Sequence, residues 1–116
     1  MSKRYVTIVG LNHYFGIAPF SIGKKVKCIK EPGNPFDSEA IRVKMKGIGT
    51  VGYIGNSVHS VVTGTMSAGR LYDKIGDKFK VRVLFICSNF VIGEIVENEP
   101  VPPETEEMND EKETDQ

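Results

Sequence analysis

Ala40-Ile-Arg-Val-Lys-Met-Lys-Gly-Ile-Gly-Thr-Val-Gly-Tyr-Ile54 admits two readings. Gly47, Gly49 and Gly52 match the G-x-G-x-x-G spacing of a dinucleotide fingerprint. That fingerprint works only where a strand feeds a helix whose N-terminus receives the pyrophosphate. The flanks favour the other reading. Before the glycines, Ile41, Val43 and Met45 alternate with Arg42, Lys44 and Lys46, the period of a strand with one buried face. After them, Thr50-Val-Gly-Tyr-Ile54 looks like a second strand, and Gly47 and Gly49 fit a tight hairpin turn.

Upstream of this hairpin lies Lys30-Glu-Pro-Gly-Asn-Pro-Phe-Asp37. Pro32 and Pro35 fix their own φ and push the preceding residues out of helical space, so helix and central strand are both excluded. Gly33 is free to take a positive φ. Asn34 and Asp37 have short side chains that bond nearby backbone in turns. A loop this stiff presents Asn34, Phe36 and Asp37 at low entropic cost, which suits recognition. Before it, Lys24 to Lys30 reads as a strand with Val26 and Cys28 facing in; Ile29 breaks the parity, and a bulge there is expected. Leu11 to Gly16 is a loop that groups Asn12, His13, Tyr14 and Phe15. Such a cluster can stack on bases or cover the mouth of a small barrel. Arg4 to Gly10 is a strand of β-formers.

Downstream, Asn56 is a plausible N-cap for a short helix over Ser57–Thr63, with Val58, Val61 and Val62 on one face and Gly64 at its end. β-branched residues make this a poor isolated helix, so packing must hold it. Residues 65–75 are irregular or a second short helical turn, with Arg70 able to hold a phosphate or an internal carboxylate such as Asp73, the internal pairing being expected. Lys78 to Ser88 is a long strand with Phe79, Val81, Val83, Phe85 and Cys87 on one face. Ser88-Asn89 fits a two-residue hairpin into a last strand, Phe90–Val96. Six short strands, one or two short helices and no β-α-β rhythm predict a mainly β fold, a small OB-like or SH3-like six-stranded barrel.

Charge divides the chain of 116 residues in two. Residues 1–96 hold 14 Lys and Arg against 6 Asp and Glu, a net +8; residues 97–116 hold 9 acids and one Lys, a net −8. The expected organisation is a barrel domain over 1–96 and a disordered acidic tail over 97–116. The basic domain points to a polyanion such as nucleic acid, or else its lysines keep a small β domain soluble and its edges unpaired. Cys28 and Cys87 read as two buried thiols in a reduced compartment. No signal peptide or membrane-length apolar run is present, so a cytoplasmic location without membrane partners is expected. No spacing of Cys and His suggests a metal, and no cofactor or small-molecule substrate is indicated.

Val9-Gly-Leu11, Tyr14-x-Gly16, Lys-Glu-Pro-x-Asn-Pro-Phe-Asp37, Ala-Ile-x-Val43 and Gly-Thr-Val-Gly-Tyr-Ile54 together resemble the HIRAN domain family, in its short free-standing bacterial type. The resemblance covers roughly residues 5–96. It implies an OB-like or SH3-like barrel and a non-enzymatic module for single-stranded DNA or a DNA 3′ end, with a DNA-processing protein as a further partner. It implies a site built from Asn12, His13, Tyr14, Lys30, Asn34, Phe36, Asp37, Tyr53 and Asn56, with no catalytic residue. Asp37 would accept a hydrogen bond from a terminal hydroxyl and repel an internal phosphate. Phe36 would offer a stacking face, and Asn34 would read a base edge or hold the loop. The chain departs from DNA-binding members in carrying Asn12-His13 ahead of Tyr14, Phe36 in place of tyrosine, and Gly55-Asn56 where lysines stand. The alternative is an adaptor that receives a peptide at the barrel mouth or an edge strand.

Overall fold

The computed structural model describes residues 3–98. Six strands, β1 (Tyr5–Val9), β2 (Lys25–Glu31), β3 (Ala40–Met45), β4 (Gly49–Ile54), β5 (Lys78–Ile86) and β6 (Val91–Asn98), close an antiparallel barrel in the order β1-β4-β3-β2-β5-β6. A 3-10 turn spans Leu11–His13, and one short helix, α1, spans Ala68–Leu71. The expected barrel is therefore the observed one. Inward residues of every strand meet in one core that includes Ile8, Val26, Ile41, Val43, Val51, Val81 and Val83, all close to fully buried. Among the described residues no helix is long and apolar enough to cross a membrane.

The β3–β4 hairpin settles the glycine motif. Met45 faces Gly49 across the ladder, and Gly47 and Gly49 have φ of 83° and 94°, values open to glycine at no steric cost. Ser88-Asn89 likewise turns β5 into β6, with Cys87 N donating to Phe90 O. Cys28 is buried as expected, but Cys87, beyond the Val83/Phe85 irregularity, is only half-buried; both are free thiols. Burial raises the Cys28 thiol well above its usual range. β6 continues through Glu97, whose carboxylate bonds Lys25 and lies 3.7 Å from Lys80. The tail expected from residue 97 thus gives up its first two residues to β6, and the rest, from residue 99, lies outside the described residues.

Five local expectations are corrected. The β2 register is regular against both neighbours, without a bulge at Ile29. Parity holds because Lys30, and not Ile29, takes the inward position after Val26 and Cys28. The irregularities fall instead at Val43/Lys44, Lys80/Val81 and Val83/Phe85. The last of these turns Phe85 outward, leaving it 62% exposed although the alternation put it in the core. Residues 57–63 are turns, because other groups claim their backbone: Thr7 Oγ1 accepts from Val62 N, and Ser57 and Ser60 side chains bond within the segment. The α-helix lies further on, with Ser67 Oγ accepting from Arg70 N at its start. Arg70 forms no ion pair with Asp73 among the described residues. Gly33 does not use the positive φ open to it.

The 55–67 segment also shows how β1 is completed. Only Ile8 and Val9 of β1 pair with β4. Beyond them, Gly55 N donates to Thr7 O and Met66 N to Tyr5 O. Thr7, a buried polar side chain, is satisfied by Thr65 Oγ1 at 2.8 Å and by Val62 N at 3.1 Å.

Candidate nucleic-acid interface

The β2–β3 loop is built from two turns joined by one side chain. Asn34 N donates to Glu31 O, and Ala40 N donates to Asp37 O. Between them Asn34 Oδ1 accepts from both Phe36 N (2.8 Å) and Asp37 N (3.1 Å). Of its two anticipated roles, Asn34 therefore holds the loop. With the backbone locked by prolines and by this Asx-type cap, the Phe36 ring projects into solvent, 94% exposed.

Asp37 is held by two donors. Oδ1 accepts from Glu39 N (2.9 Å), and Oδ2 accepts from Asn56 Nδ2 (3.0 Å). Asn56 in turn accepts from Gly69 N at 2.7 Å, so it clamps the loop to the start of α1. The approach is close: a Cβ at Gly69 would lie 2.6 Å from Glu39 Oε1. A carboxylate has about four acceptor positions, so two bonds orient Asp37 without exhausting it.

Tyr14, Asn34, Phe36, Asp37, Tyr53 and Asn56 line one open cleft of about 430 Å³. Tyr14 and Tyr53 form its aromatic wall, with ring centroids 6.4 Å apart and planes tilted by 36°. Asn12 and His13 are not in it. As part of the 3-10 turn they line a separate groove of about 400 Å³ with His59, Asn89 and Phe90. Lys30 is further removed. Its ammonium donates to Tyr72 O and Ile75 O, both at 2.6 Å, and sits 4.9 Å from the Tyr72 ring centroid. Those bonds tie the α1 segment to the end of the barrel and leave Lys30 no part in the cleft.

Glu31 is the residue that sequence reasoning missed. Its Oε1 accepts from Tyr53 OH (2.8 Å) and Asn34 Nδ2 (3.1 Å). Its Oε2 lies 3.0 Å from Arg42 Nε, an ionic contact, while Arg42 Nη1 reaches Thr50 Oγ1 at 3.3 Å. One carboxylate thus orients the aromatic wall and the loop together. Its parity with Lys25 and Lys27 is visible in the sequence, but its partners come from β3 and β4 and depend on register. Of the nearby acids only Asp37 lines the cleft; Glu31 and Glu39 act behind it, through Tyr53, Asn34 and Asn56. Among the described residues no group of three or more His, Cys, Asp or Glu has the geometry to hold a metal.

Burial, then the Glu31 hydrogen bond and charge, push the Tyr53 phenol up to about 12. The folded chain therefore holds this proton more tightly than the unfolded chain. The resulting stabilisation is complete below the ordinary value of 10 and is lost as pH rises towards about 12. In a spectrophotometric titration the step near pH 12 should vanish in Tyr53→Phe and move down in Glu31→Gln. An unchanged profile in both variants would contradict the Glu31–Tyr53 coupling.

The HIRAN domain family model matches residues 3–85. The chain belongs to the HIRAN domain family. Its fold is similar to the crystal structure of the HIRAN domain of human HLTF, with a TM-score of 0.60 at 21% identity, over 81% of this chain and 73% of that one. No curated protein matches the chain. Membership supports a nucleic-acid-binding module in general terms, and the two loops that meet at the cleft, Tyr14 to Gly16 and Lys30 to Asp37, both lie within the matched residues.

Proposed function

We propose that this HIRAN domain is a non-enzymatic module that binds the 3′ end of single-stranded DNA in the Tyr14–Asp37–Tyr53 cleft. The observation that carries the reading is the pairing of a 94%-exposed Phe36 ring with a rigidly oriented Asp37 carboxylate at one cleft. The terminal base stacks on Phe36 and the aromatic wall. The terminal hydroxyl donates to Asp37, a bond that a continuing strand cannot make and that a phosphate would turn into repulsion. Asn56 and Glu31 are positioning residues, acting through Asp37 and through Tyr53 and Asn34.

Fluorescence anisotropy with matched 3′-hydroxyl and 3′-phosphate oligonucleotides tests this. A hydrogen bond to a charged group contributes ~1.5–3 kcal/mol, so the 3′-phosphate should bind at least about tenfold more weakly. Asp37→Asn should narrow that gap by removing the repulsion. Equal affinity of the unsubstituted chain for both ends would dismiss end recognition. The adaptor alternative loses one of its two routes, because a closed barrel offers a peptide no free edge strand.

A further inference from the structure

The outward wall of β2, β3 and β5 is dominated by cations, broken by Ile29, Leu84 and the border acid Glu31. Register places Lys44, Lys27 and Lys80 side by side across three strands. The next row sets Lys25 against Arg82, and the row nearest the cleft is Arg42, Ile29 and Lys78. Like charges directly opposite one another destabilise a sheet. Lysines are often kept on strands to guard an edge, but this barrel is closed and has none. Counter-charge lies only at the borders. Glu97 pairs with Lys25 and Lys80, Glu94 stands opposite Arg82 in register, and Glu31 engages Arg42. Among the described residues Lys27, Lys44, Lys78 and Arg82 form no ion pair.

We propose that this wall is a second binding surface, an electrostatic track for the sugar-phosphate backbone of a single strand that leads away from the cleft. Continuity supports the direction: Arg42, in the row nearest the cleft, is the register partner of Tyr53 in the cleft wall. Cations recur every ~6.6 Å along each strand and ~4.8 Å between strands, so several phosphates can be neutralised at once. The cleft reads an end, and the wall holds the nucleotides upstream of that end. The wall rests on the reading of the chain as a nucleic-acid module, and not on end recognition.

The test uses the full chain and oligothymidylates of about 4 and about 16 nucleotides, both with 3′ hydroxyls. The short probe fills the cleft; the long one also reaches the wall. For about three extra phosphates, the log–log salt dependence of the long probe should be steeper by roughly 2. Lys27→Glu combined with Lys44→Glu should abolish that difference while the short probe keeps its preference for a 3′ hydroxyl. The double variant keeps a like-charge pair at 27 and 44 but makes 27 complementary to Lys80, so its thermal midpoint should change little; should it fall, Lys27→Gln with Lys44→Gln, which removes both like-charge pairs, carries the same binding expectation. Equal slopes for both probes, or a difference that survives in the variant, overturns the proposal. A difference seen only after removal of residues 99–116 also overturns it and assigns the wall to the chain's own acidic segment. Loss of the 3′ preference with the slope difference intact rejects end recognition and leaves the wall standing.

Discussion

Phe36→Ala should weaken single-strand binding by about 5- to 150-fold and leave thermal stability unchanged. The loss of affinity comes from stacking, at ~1–3 kcal/mol per base, and from the conversion of 1.4 kcal/mol to a factor of ten. The unchanged stability comes from exposure: a ring 94% exposed removes almost nothing from the core when truncated. The loop does not depend on the ring either, since it is held by the prolines and by Asn34 Oδ1 bonding the Phe36 and Asp37 amides. Binding and stability therefore separate at this position. Phe36→Tyr keeps the stacking face and should bind within a few-fold of the unsubstituted chain. Anisotropy titrations beside thermal unfolding by circular dichroism would check both effects. Undiminished affinity in Phe36→Ala would remove Phe36 from the interface.

Gly52→Ala should do the reverse, costing stability first. A Cβ at this position would lie 2.8 Å from Val9 O, 2.9 Å from Leu11 Cδ2 and 3.1 Å from Ile8 Cγ2. The nearest of these is backbone, held because Val9 pairs with Tyr53 across the ladder. Leu11 is fully buried and has no room to withdraw. Overpacking of this kind costs ~1–3 kcal/mol, and each kcal/mol lowers the midpoint of a domain this size by about 4–8 °C. The displacement would also reach the cleft, because Gly52 precedes Tyr53 and the clashing atoms lead into the 3-10 turn before Tyr14. Gly33→Ala is the control. No atom lies within 4 Å of its Cβ position and its φ is not in the left-handed region. It should be neutral or stabilising by about 0.4–1 kcal/mol through the unfolded state. A Gly52→Ala chain as stable as the unsubstituted one would show that β1 and β4 approach less closely than described.

Six of the nine expected site residues share the cleft, and they are legible in the sequence because each sits in or beside a motif with its own local logic. Phe36 and Asp37 are displayed by a proline-stiffened loop, and Tyr53 follows a strand glycine. The three that lie elsewhere came from the family resemblance. Asn12 and His13 precede Tyr14 in the chain but form the 3-10 turn that lines the other groove, and Lys30 precedes the loop but belongs to the inward face of its strand. Glu31 is hidden for the complementary reason: a lone acid at a strand end has no local signature.

Strand alternation, hairpin turns and the display of Phe36 are properties of near neighbours in the chain, governed by φ restriction and by a two-residue side-chain period. The amino-acid sequence by itself determines them, and with them the barrel. Which groups meet across strands is set by register and closure. These put Glu31 beside Tyr53, Asn34 and Arg42. They turned Phe85 outward at a bulge, withheld the helix from residues 57–63, and lined Lys44, Lys27 and Lys80 into one row. A single-residue slip would have rearranged every one of those pairings while leaving the alternation pattern intact, so only the tertiary structure could decide them.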